Sequence, residues 1–114
     1  MKYMLLMYAD PNATKAMAAS ERDEVAAKHK ALVDKLTQSG ELLSGEGLDY
    51  AWNAVTVRWN QGSPQTSDKP FNDGEQQLTA YYVVDCASRE RALELARELV
   101  DFHVTAVEVR QVHT

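Results

Sequence analysis

Apolar side chains crowd into several short stretches of this chain and return at helical spacing in two longer ones, with turn residues between them. Lys2-Tyr3-Met4-Leu5-Leu6-Met7-Tyr8-Ala9 predicts a strand, which Asp10-Pro11-Asn12 breaks. A helix follows: Ser20 is placed to cap it, Asp23 and Glu24 put carboxylates in the first turn, and Gly40 stops it. Val25, Leu32, Val33 and Leu36 share one face of that helix, and His29 lies near the middle of the same face. Glu41 to Leu48 predicts a second strand made irregular by Gly45 and Gly47, and Asn53 to Asn60 a third with Val55, Val57 and Trp59 on one side. Residues 61 to 77 are expected to be loop, turning at Gln61-Gly62-Ser63-Pro64 and again at Asn72-Asp73-Gly74. A strand at 78 to 85 leads to a helix capped by Ser88, with Ala92, Leu95, Ala96, Leu99 and Val100 as its apolar face, and Thr105 to Val112 closes the series.

This order predicts an α+β fold, a ferredoxin-like antiparallel sheet with two helices on one face. In the first strand Tyr3, Leu5 and Met7 point one way and Met4, Leu6 and Tyr8 the other, so both faces are apolar. The strand at 78 to 85 is similar, with Leu78, Ala80, Tyr82 and Val84 opposite Tyr81 and Val83, whereas 53 to 60 and 105 to 112 each mix polar residues into one side. The two apolar strands are therefore expected at the centre. Two helices cover one face only, and a bare face of Tyr, Leu, Met and Val is a patch that soluble monomers seldom carry. The expected cover is a second copy of the chain in a two-fold homodimer. The alternative, loop 61 to 77 folding across the face, offers few large apolar groups besides Phe71.

At 114 residues the chain has room for one domain. Its net charge of −5, with both signs mixed through the helices, provides no basic stripe for nucleic acid. The longest apolar run, Met4 to Ala9, is far short of the roughly 20 residues that cross a bilayer, and a soluble, cytoplasmic protein is expected. Cys86 is the only cysteine, which rules out an internal disulfide and leaves too few ligands for a cysteine-based metal site.

Ser67-Asp68-Lys69-Pro70-Phe71 and the strand Leu78 to Asp85 carry a resemblance. Together they resemble the signature of the YCII-related proteins with a DGPF segment, with Asp68, Pro70, Phe71, Gln77, Leu78, Tyr81 and Tyr82 at matching positions. Met1 to Ala9 is similar to the family's opening strand, Leu42 to Leu48 to its Gly-Glu segment, and Val107 to Val112 to its closing strand. The resemblance implies a ferredoxin-like fold assembled as a dimeric α/β barrel. The chain also departs from the signature. Lys69 stands where the signature has glycine, Glu75-Gln76 where a Lys-Glu pair is common, and Thr79-Ala80 where there are two glycines.

His29 is the first candidate for chemistry, because a part-buried imidazole beside a carboxylate suits acid–base work near neutral pH. Its position eleven residues before Gly40 is similar to that of a helix histidine which, in YCII proteins, is proposed to act with an aspartate. The competing reading, a packed histidine satisfied by backbone or water, is the simpler one. Asp68 is the second candidate, equally well explained as a turn residue bonding its own backbone. Asp101, extrapolated along the second helix, falls beside Glu94, Arg97 and Glu98 and is expected to be solvated. Tyr8, Glu46, Phe71 and Tyr82 are candidate substrate-binding residues, against the commoner role of such aromatics in core and interface. His103 and His113 show no metal-ligand spacing with His29, Cys86 is expected to pack inertly, and neither a metal nor a cofactor is implied. Two functions remain open. One is a cofactor-independent acid–base enzyme acting on a small organic molecule. The other is a non-catalytic module binding a ligand or a regulatory protein, since the DGPF group is similar to companions of transcription-initiation factors.

Overall fold

Alternation in the strands and a 3.6-residue period in the helices place the core between one sheet and two long helices, as a computed structural model describing residues 1–113 lays out. Strands β1 (Lys2–Ala9), β2 (Leu42–Gly47), β5 (Gln77–Asp85) and β6 (Ala106–Gln111) form an antiparallel sheet in the order β2-β5-β1-β6. Helices α2 (Ala19–Ser39) and α3 (Arg89–Leu99) connect them in the ferredoxin-like manner. The strands apolar on both sides, β1 and β5, are the central pair. Tyr3, Leu5, Met7, Tyr82 and Val84 face Leu32, Leu36, Ala92, Leu95 and Leu99 from the helices, all buried. A bidentate pair, Arg91 Nε to Glu41 Oε2 and Arg91 Nη2 to Glu41 Oε1, both 3.0 Å, ties α3 to the start of β2.

Several elements differ from expectation, each for a local reason. The first long helix begins at Ala19, not after Ser20, because the Glu21 carboxylate accepts the Ala18 backbone N–H at 2.9 Å and caps the turn from inside. The break at Asp10-Pro11-Asn12 opens a short helix, α1 (Pro11–Lys15): Asp10 caps the Asn12 N–H at 2.9 Å and proline fits the first helical position. Residues 53 to 60 do not join the main sheet. After a 3₁₀ turn at Ala51–Asn53, β3 (Thr56–Asn60) pairs with β4 (Ser63–Ser67), a strand inside the expected loop, as a separate hairpin. Its two-residue turn, Gln61 at φ 50° and Gly62 at φ 90°, has the left-handed backbone that tight hairpins need. Val55, Val57 and Trp59 do share a side, but they are exposed, Trp59 by 76%.

One shift in register and one helix end bear on the faces. Between Met7 and Tyr8 the pairing with β5 moves from Ala80 to Leu78, leaving Thr79 as a bulge. The expected grouping of Leu78 with Ala80, Tyr82 and Val84 is therefore corrected: Leu78 lies opposite Tyr8, on the helix-free face. That face carries Met4, Leu6, Tyr8, Tyr81 and Val83, all part-exposed. The second helix ends at Leu99, and Val100 is extended at ψ 130° and 46% exposed, so it is not part of the buried stripe. The slab has a shortest extent of 18 Å, the thickness of one sheet with one layer of helix. Among the described residues no helix is long and apolar enough to cross a membrane.

Candidate functional site

Helical spacing sets His29 between Val25 and Val33, one turn away on either side, along the face of α2 that meets the sheet. Opposite it, Tyr82 rises from β5 and is 8% exposed. Its hydroxyl and His29 Nδ1 are 2.8 Å apart. Gly45 of β2 is paired directly with Tyr82, and a Cβ there would stand 2.4 Å from Tyr82 Cδ1. The glycine that makes β2 irregular is thus the notch into which the tyrosine ring fits. Burial pushes the His29 imidazole below its ordinary value; Asp101 pulls it up in part, while Lys28 and His103 add to the lowering. Burial likewise pushes the Tyr82 hydroxyl up, so it keeps its proton.

These two side chains line a cavity of about 460 Å³, open to solvent, together with Met7, Val25, Glu46, Leu48, Thr79, Tyr81, His103 and Val104. The wall opposite the sheet is completed by the loop after α3. There Asp101 Oδ1 accepts the backbone N–H groups of His103 at 2.8 Å and Val104 at 2.7 Å, and Oδ2 accepts Lys28 Nζ at 2.9 Å. Burial alone would push Asp101 up, but the bonds from Lys28, Val104 and His103 outweigh it and hold the carboxyl below its ordinary value. The expectation of a solvated Asp101 is corrected, because α3 stops before this residue and the chain turns inward.

His103 is held from α1, with Nε2 3.0 Å from Thr14 Oγ1, and its Nδ1 is buried without a hydrogen-bond partner.

The proposed site residues divide between places. His29 and Tyr82 meet at this cavity, whereas Glu46 borders it from β2 with its side chain paired to Tyr81 on the helix-free face. Tyr8 and Phe71 line a second one, of about 530 Å³, between the helix-free end of β1 and the residues around the 3₁₀ turn. Asp68 is exposed just beyond β4, lines neither cavity, and is not brought to His29. Phe71 is itself 72% exposed, with the Arg58 guanidinium 4.6 Å from its ring centre. Cys86 is buried at the end of β5, with its thiol toward the Ser88 carbonyl at 3.3 Å. No cluster of three or more His, Cys, Asp or Glu among the described residues is arranged to hold a metal ion.

Spacing along the sequence does not single out Gly45, Thr14 or His103 as parts of a site: Gly45 reads as a strand irregularity, and a hydrogen-bonding imidazole such as His103 leaves no metal-ligand spacing to find.

Comparison with known proteins adds two findings. Residues 1–114 match the family model described as the YCII-related domain. An uncharacterized protein of Rhizobium meliloti (strain 1021) is 33% identical over 99 residues, which is 87% of this chain and 80% of that protein.

Proposed function

The chain belongs to the YCII-related domain family, and we propose that within it this protein is a cofactor-independent acid–base catalyst acting on a small organic molecule in the cavity beneath α2. The observation that carries this reading is the His29–Tyr82 pair in the cavity wall, 2.8 Å apart. Tyr82 fixes the ring, leaving His29 Nε2 to exchange a proton with a bound molecule, and Asp101 contributes a negative field that stabilises the imidazolium when it forms. Glu46 has no part in the step, since its pairing with Tyr81 turns its carboxylate to the helix-free face. Asp68 has no part in the step.

A second copy of the chain completes the reading at the level of assembly. The face of Met4, Leu6, Tyr8, Tyr81 and Val83 lies away from the helices, and packing two such faces together buries them in a two-fold homodimer.

The test follows carbon-bound hydrogen exchange into D₂O for a panel of small ketones by proton NMR. Wild-type protein is expected to accelerate exchange for at least one of them, and His29→Gln to lower that rate by about 10²- to 10⁴-fold with the circular dichroism spectrum unchanged. Exchange equal in the two proteins, or loss of the fold on substitution with no exchange in the wild type, assigns His29 to packing. The exposed hairpin, with Val57 and Trp59 on its surface and Phe71 beside its Arg58, favours a second reading, a module that binds a regulatory protein. A wild type inert toward the whole panel would turn the choice to that reading.

A further inference from the structure

Two neighbouring rows of the helix-covered face differ by one ring. Gly45 of β2, Tyr82 of β5 and Leu5 of β1 lie side by side in one row, and Gly47, Ala80 and Met7 in the next. Residues two apart on a strand share a face, so both glycines lack a side chain on the side toward α2. In the first row the tyrosine ring packs over its glycine so closely that a Cβ at Gly45 would stand 2.4 Å from Cδ1 and 2.8 Å from Cε1. In the second row Ala80 carries only a methyl group, and a Cβ at Gly47 would meet nothing within 4 Å.

The backbone does not require glycine at position 47. The left-handed conformation that favours it is found at Gly40 and Gly62, not here. Packing does not require it either, since the space above it is open. A strand glycine explained by neither marks a place where a bound molecule can approach the backbone closely. Gly47 and Ala80 both line the cavity of about 460 Å³ that His29 faces from α2, and Met7, Val25 and Val104 make the surroundings apolar. Met7 ends the row with a thioether, a favourable neighbour for the edge of an aromatic ring.

We infer that the cavity binds a molecule with a flat aromatic ring, which lies over Gly47 as the Tyr82 ring lies over Gly45 and turns a carbonyl toward His29. The carbonyl rests on the reading of this cavity as the site of proton transfer; the ring rests on the empty row, and it makes Gly47 the residue that selects for flatness.

The probes are acetophenone and cyclohexyl methyl ketone, which share a carbon skeleton and an acetyl group. The second ring is saturated, puckered and at least as apolar, so a merely greasy cavity would bind it no less well. Titration of the ¹⁵N-labelled chain followed by NMR should give acetophenone about tenfold tighter, with its largest ring-current shift at the Gly47 amide. Gly47→Ala should keep the circular dichroism spectrum and urea midpoint of a folded chain, while its methyl group fills the slot and brings the two affinities within about twofold. Equal or reversed affinities in the wild type, an unchanged preference in Gly47→Ala, or failure of acetophenone to bind would overturn the proposal. Loss of the fold in Gly47→Ala would overturn it as well, because the position would then be closed by packing. Selective binding without exchange of the acetyl hydrogens in D₂O would retire the proton-transfer reading and leave the slot intact. Exchange that is equal for the two ketones, with equal binding, would do the reverse.

Discussion

Gly45 decides where Tyr82 can stand, and through Tyr82 it decides how His29 is held. A methyl group at Gly45 would overlap the tyrosine ring at 2.4 Å, and because the ring is walled in by the core it cannot simply swing away. Gly45→Ala is therefore expected to lower unfolding free energy by about 1–3 kcal/mol in urea titrations and to separate the His29–Tyr82 pair, visible as a changed His29 tautomer signal. His29 itself should write a signature into the pH dependence of stability. Its folded value lies below the ordinary 6.5, so between the two values the unfolded chain binds more protons than the folded one. Stability falls as pH drops through the unfolded value and levels off below the folded one. Urea midpoints measured between about pH 8 and pH 5 should show this loss in the wild type, and His29→Gln should flatten that portion of the curve. His29 was legible in the sequence because it interrupts an apolar helical stripe. His103 was not, since only the folded chain brings it against Thr14 and into the cavity wall.

The loop after α3 shows how a single carboxylate organises a short connection. Asp101 takes the two backbone N–H groups that open the turn and the Lys28 ammonium from α2, so it fastens loop to helix on the side that walls the cavity. Asp101→Ala leaves those part-buried donors without an acceptor and is expected to cost about 1–3 kcal/mol, read from the shift in urea midpoint, with amide exchange rising first at His103 and Val104. The strand and helix order was legible because β1, β5 and the two long helices each carry a clear apolar period. Asp101 was misplaced because the apolar spacing continues through Val100 after the helical backbone has stopped. The hairpin was missed for the opposite reason. Ser63-Pro64-Gln65-Thr66-Ser67 has no apolar alternation, and its backbone pairing with β3 leaves no trace in composition. Likewise the bulge at Thr79, which reverses the side on which Leu78 lies, is a matter of register rather than of residue type.

Across the molecule, one layer of helix on one sheet leaves a broad surface to account for. The radius of gyration is 15.8 Å, whereas a compact domain of this length has about 13 Å, as expected when a hairpin projects from a thin slab. Burying the helix-free face against a second copy predicts twice the chain mass in sedimentation velocity. Leu6→Glu, at the centre of that face, should give monomers or aggregate, and a monomeric wild type would refute the dimer. The two-sided apolar character of β1 made this surface legible in the sequence, whereas the division of the candidate site residues between two cavities needed coordinates. The closed corner around Cys86 has a practical consequence. With Cys86 5% exposed where the core meets the start of α3, an alkylating reagent reaches the sulfur mainly when that corner opens. The rate of labelling at this solitary atom therefore serves as an intrinsic clock for breathing of the interior, without any engineered probe.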